Sequence, residues 1–166
     1  GDEGSVRDAG RSQVANDGWH VAQLNIARAV APMDDPRLAD FVAQLDAVNA
    51  LAEASPGYVW RLQSASGNAT DVRVGDDPLV IVNLTVWTSI DELFAYAYRS
   101  DHRFVFARRF EWFERWPGPS VCLWWQRAGT VPTVDDALRR LTILAERGPS
   151  PDAFTFKQRF PPPDAT

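Results

Sequence analysis

One cysteine, two histidines and one methionine are all that 166 residues contain of those types. A lone thiol, Cys122, excludes an internal disulfide framework, and His20, His102 and Cys122 cannot build a zinc cage of familiar spacing. Positive charge is also scarce, 17 Lys and Arg against 22 Asp and Glu, for a formal charge of −5. That balance argues against duplex nucleic acid, whose binding rests on phosphate neutralisation, and against anionic membranes. No run approaches the roughly 20 apolar residues of a membrane-spanning helix, and no apolar core of signal-peptide length is present. Glycine-rich phosphate loops and coiled-coil heptads are missing. The expectation is a cytoplasmic globule with no nucleic-acid, membrane or metal partner.

What is abundant is apolar and aromatic surface: 45 % hydrophobic residues, with 7 Trp, 9 Phe and 3 Tyr. One domain of this length can bury a substantial core. Residues 1–18 hold Gly, Asp, Ser, Asn and Gln with a single exception to their polarity every few positions and no aromatic, so they read as a flexible N-terminal segment. Residues 19–148 read as the folded domain, and the proline-rich stretch 149–166 as a C-terminal tail packed on its surface.

From His20 the text alternates, with Ala22, Leu24 and Ile26 on one side of a strand and Val21, Gln23 and Asn25 on the other. Asp34-Asp35-Pro36 starts a helix whose Leu38, Phe41, Val42, Leu45, Val48 and Ala52 recur at helical spacing until Ser55-Pro56-Gly57. A second strand is expected over Tyr58–Gln63, a hairpin loop at Ser64–Asn68, and a third strand over Leu79–Trp87. Ser89 and Glu92 have capping-box spacing for a short helix through Tyr98. A further helix is expected from Asp101 to about Trp116, with Val105, Phe106, Arg109 and Phe113 on one stripe. Val121–Gln126 completes the strands, and Thr133 caps a last helix with Val134, Ala137, Leu138, Leu141 and Leu144 inward.

This order, β-α-β-β-α(α)-β-α, is an α+β fold of the ferredoxin-like split βαβ kind with a four-stranded antiparallel sheet. Helices would cover one face. The other needs a second subunit or the tail, and two such sheets meeting form a dimeric α/β barrel, hence an expected homodimer.

Chemistry is expected where polar residues interrupt apolar strands. Gln23 and Asn25 share a side on the first strand; Ile81, Asn83, Thr85 and Trp87 share one on the third, opposite Val80, Val82, Leu84 and Val86. The all-apolar side should meet the helices, leaving Gln23, Asn25, Asn83 and Thr85 in an uncovered face as the floor of a pocket. Either these amides bond one another and fix register, or a ligand reaches them. Arg61 takes the polar side of the second strand, where a guanidinium can grip a substrate carboxylate or phenolate, or pair with an acidic residue. His102 could serve as base, axial haem ligand or surface cap. Trp112, Trp116, Trp124 and Trp125 could stack on a planar ligand, with the hydroxyls of Tyr96 and Tyr98 beside them; Trp124 is the best cavity candidate because it shares parity with Cys122 and Gln126 while Trp125 aligns with Val121 and Leu123. The acidic pairs at turns are assigned no metal.

The runs HVAQLNIARAVAPMDDPRLADFVAQLDAVNALAEASPGYVWRLQ, VNLTVWTSIDELFAYAYRSDHRFVFARRFEWFE and PDAFTFKQRFPPP resemble bacterial proteins grouped as domain of unknown function 3291, over about residues 19 to 163. That group is similar to dimeric α/β-barrel proteins, including the antibiotic-biosynthesis monooxygenases, which implies a cofactor-independent enzyme acting on an aromatic or polycyclic metabolite. By that resemblance Asn83 and Trp87, four residues apart, would line the catalytic cavity with Arg61 and a tyrosine, Tyr96 or Tyr98, nearby. The haem-degrading branch implies instead a haem site from Asn25, Trp87 and His102. A non-catalytic ligand-binding dimer is the third reading.

Overall fold

The computed structural model describes residues 18–63, 74–99 and 108–163. The expected flexible lead-in (apart from Gly18), the loop at Ser64–Asn68, and Asp101, His102, Val105 and Phe106 lie outside the described residues. Within them the chain is α+β, with four strands, β1 (Trp19–Arg28), β2 (Tyr58–Arg61), β3 (Val80–Trp87) and β4 (Val121–Arg127). They form one antiparallel sheet in the order β2-β3-β1-β4. Four α-helices accompany it: α1 (Ala39–Ala54), α2 (Ile90–Arg99), α3 (Arg109–Trp112) and α4 (Val134–Arg147).

Local chemistry explains the boundaries. Asp35 accepts from the Arg37 backbone N–H and Pro36 opens a 3-10 turn that runs into α1. At its end the Ser55 hydroxyl donates to the Leu51 carbonyl. Gly57 follows with φ +84°, and a Cβ there would sit 2.5 Å from the Glu92 side chain, so this turn has room only for glycine. Ser89 Oγ accepts from the Glu92 N–H at the start of α2, and Thr133 Oγ1 from the Asp136 N–H at the start of α4.

The two faces of the sheet carry different cores. On one, Ala22, Leu24, Ile26, Val82, Leu84 and Cys122 are buried beneath α4 through Ala137, Leu141 and Leu144. On the other, Val21, Trp87, Leu123 and Trp125 meet Ala52 of α1, Leu93 and Tyr96 of α2, and Phe154 of the tail. The tail extends the sheet edge: Phe154 and Leu123 exchange both backbone hydrogen bonds, at 2.8 and 2.9 Å, and Trp125 Nε1 donates to the Phe160 carbonyl.

Three expectations change. The all-apolar side does face a helix, but that helix is the appended α4; the opposite side is packed by α1 and α2 around Val21, Trp87 and Leu123, while Asn83 farther along it is exposed. The reason is that α4 and the crossover helices take opposite faces. The helix expected to run to Trp116 stops at Trp112, because Phe113 is extended and bridges Ala29, with Glu114 N–H donating to the Arg28 carbonyl. Pairing with the end of β1 satisfies backbone groups that a longer helix would have bonded internally. The second strand ends at Arg61 rather than Gln63, although Leu62 N–H still donates to the Leu84 carbonyl.

Leu24 lies on a central strand, fully buried against the α4 face. Leu24→Ala should lower unfolding free energy by about 2–5 kcal/mol, read as a shifted urea midpoint with an unchanged slope.

Candidate functional site

Antiparallel pairing stacks the polar residues of β1 and β3 as rungs on one face. Val21 pairs with Trp87, Gln23 with Thr85, and Asn25 with Asn83. Arg61 is the β2 partner of Thr85 and therefore joins the same face.

The inner rungs are packed and partly self-satisfied. Trp87 Nε1 donates to Thr85 Oγ1 (2.9 Å), and the Thr85 hydroxyl donates to Gln23 Oε1 (3.2 Å). Trp87 is fully buried, its ring stacked on Tyr96 at 4.9 Å. The Gln23 amide N–H groups find no acceptor among the described residues, although the side chain is almost wholly buried. Arg61 Nε donates to Glu53 of α1 at 2.8 Å, so an acidic residue of this chain occupies the guanidinium that a substrate anion would need. Burial pushes the Tyr96 hydroxyl up to about 12, against the opposing pull of the Arg61 charge.

The outer rung opens into a cavity of about 490 Å³, within the range of small-molecule sites. Asn25 and Asn83 form its floor together with Ile81 and Val121. Neither asparagine side chain makes a protein hydrogen bond among the described residues. The roof is the inward stripe of α1, where Phe41, Leu45 and Val48 are interrupted by Gln44 and Asn49. At the mouth stand Tyr98 of α2, Arg109 and Phe110 of α3, and Phe113, Glu114 and Arg115 after it. Glu114 is held by Arg28 at 2.8 Å.

The structure thus brings Asn25 and Asn83 together with Tyr98 in the cavity wall, and places Gln23 and Thr85 one rung behind. Trp87 and Arg61 are absent from the wall: one is core, the other an ion-pair partner. Trp112 is buried in a separate cluster against Phe41, with the Arg108 guanidinium 4.7 Å from its ring. Trp124 is on the opposite face of the sheet, paired with Ala22 beneath α4, its Nε1 donating to Gln126. The expected parity of β4 was inverted, since Val121 and Leu123 pair with Asn25 and Gln23 and so share the polar face. His102, the haem-ligand candidate, lies outside the described residues. Cys122 is buried, and burial raises its thiol to about 12, which removes it as a thiolate nucleophile at neutral pH.

Sequence reasoning missed the α1 roof and the arginine mouth. A signal for the roof was present: Gln44 and Asn49 sit among the inward positions of an otherwise apolar helical stripe, the same interruption that marked the strands. The mouth had none, because α3 ends at Trp112 and the extended Phe113 carries Arg115 to it, a change of direction that no local pattern announces. Among the described residues no cluster of His, Cys, Asp and Glu could hold a metal ion, and no helix is long and apolar enough to cross a membrane.

Two measurements follow from the inner rungs. Trp87→Phe should cost about 1 kcal/mol of stability by removing the Nε1–H···Thr85 bond, read by chemical denaturation. For Tyr96 the folded hydroxyl ionises later than its ordinary 10.0. Its stabilising contribution is therefore complete below that value and is lost as pH rises toward about 12. Tyr96→Phe should flatten this alkaline decline in unfolding midpoint.

The family model described as domain of unknown function 3291 matches residues 20–166. The crystal structure of NE2512, a protein of unknown function from Nitrosomonas europaea, is similar at 16 % identity and a TM-score of 0.48, over 70 % of this chain and 97 % of that one. No functionally curated protein matches.

Proposed function

Taking as premise that the chain belongs to the domain of unknown function 3291 family, we propose that the cavity beneath α1 binds a planar aromatic or polycyclic metabolite. The observation that carries this is the Asn25–Asn83 pair: two side-chain amides on adjacent central strands, without a hydrogen-bond partner among the described residues, line a cavity whose other strand and α1 residues are mostly apolar. Between them they offer amide N–H donors and carbonyl acceptors, which suit a hydroxyl, carbonyl or phenolate oxygen on a ring. Phe41, Leu45 and Val48 on one side and Ile81 and Val121 on the other favour a flat, apolar body.

For chemistry, the reading is an antibiotic-biosynthesis-monooxygenase-like enzyme. Strand order β2-β3-β1-β4 supports the ferredoxin-like arrangement that such enzymes use. In that reading Asn83 and Asn25 stabilise charge on a bound phenolate as it meets O2, by preorganised hydrogen bonding. Trp87 acts through packing and the hydrogen bond to Thr85, and Gln23 and Thr85 support the floor. The site is drawn within one chain, since its own helices pack on both sheet faces.

A second reading, a non-catalytic ligand-binding protein, is favoured by one observation. The only carboxylate among the described lining residues is Glu114, and Arg28 holds it, so no unengaged carboxylate is available there as a base. Haem receives no such support: the described lining contains no histidine, cysteine or methionine.

The test is ligand binding followed by turnover. Quenching of tryptophan fluorescence should report saturable binding of hydroxynaphthalenes. Asn25→Ala and Asn83→Ala should each weaken binding roughly tenfold without loss of fold by circular dichroism. Unchanged affinity in both variants would remove the amide floor from the site. Oxygen consumption with a bound phenol, abolished in Asn83→Ala, separates the enzyme from the binding protein.

A further inference from the structure

The cavity mouth is charged in a way that the binding of a flat apolar body does not require. Among the described lining residues Arg109 and Arg115 stand beside one acidic residue, Glu114. Glu114 is already engaged by Arg28, whereas Arg115 makes no ion pair among the described residues. The Arg115 charge stands at the rim of a chain whose formal charge is −5. Between the arginines stands Phe110, more than half exposed, with the Arg109 guanidinium 4.4 Å and that of Arg115 5.4 Å from its ring centroid. The ring limits how the Arg115 guanidinium can turn and leaves its in-plane N–H groups available to an incoming anion.

Resting on the reading of the cavity as an aromatic-ligand site, we infer that its ligand is an aromatic carboxylic acid, bound ring-first toward Asn25 and Asn83 with the carboxylate held at the mouth by Arg115. A planar guanidinium matches a carboxylate fork. A monoanion fits better than a dianionic phosphate ester because the Arg115 guanidinium balances a single negative charge.

The probes are 2-naphthoate, its neutral analogue 2-naphthylmethanol, and 2-naphthyl phosphate, titrated into the purified full chain by tryptophan fluorescence. Naphthoate should bind roughly tenfold or more tightly than the alcohol, and only naphthoate should weaken as ionic strength rises. Arg115→Gln should remove most of that preference while leaving the alcohol's affinity unchanged, and Arg115→Lys should restore part of it. Equal affinity for acid and alcohol, or an equal effect of Arg115→Gln on both, overturns the carboxylate anchor and leaves the aromatic site standing. Tighter binding of the phosphate than of the carboxylate overturns the choice of a monoanion. Failure of both acid and alcohol to bind overturns the anchor together with the cavity reading.

Discussion

The register of β1 against β3 is the constraint on which the rest depends. Because side chains alternate, pairing Leu24 with Leu84 commits Gln23–Thr85 and Asn25–Asn83 to the opposite face. A slip of one residue would turn amides into the closely packed face beneath α4 and leucines into the cavity floor. The apolar face pins the register: Ala22, Leu24, Val86 and Cys122 are all buried there, and none has a polar atom that could profit from another alignment except a weakly bonding thiol. The site is thus held in place by the side of the sheet that takes no part in it.

Along the polar face the chemistry changes in steps. At Trp87 and Thr85 each described donor has a partner and the surroundings are dry. One rung outward the asparagines have no hydrogen-bond partner among the described residues and border the cavity. Beyond them the mouth is charged. Such a gradient orders a ligand by polarity, with a hydrogen-bonding end inward, an apolar body beneath α1 and charge where water remains. Strands and α1 supply the floor and roof, while the mouth is shared by the end of α2, the short helix α3 and the chain that follows it.

Much of the fold was legible in the residues. The strands, three of the helices and their start signals at Asp35, Ser89 and Thr133 were visible because periodicity and capping are local properties. So was the grouping of Gln23, Asn25, Asn83 and Thr85 on one face, which needs only the alternation of two strands and their antiparallel pairing. Trp124 was misplaced because β4 offers large apolar residues on both sides: in Val121–Arg127, buried positions run without alternation from Cys122 to Trp125. A strand covered on both faces carries no parity signal. The length of the helix before Phe113 was misjudged for a related reason, since the bridge to Ala29 joins residues far apart in sequence.

By itself the sequence determined the elements, the absence of a disulfide framework, and a polar stripe inside an apolar sheet, all of which follow from neighbours within a few residues. Tertiary structure decided which helix covers which face, that Arg61 is taken by Glu53, that Trp87 belongs to the core, and that Arg115 arrives at the cavity mouth. Those outcomes depend on contacts between segments tens of residues apart, where packing of whole elements rather than local preference sets which side chains meet.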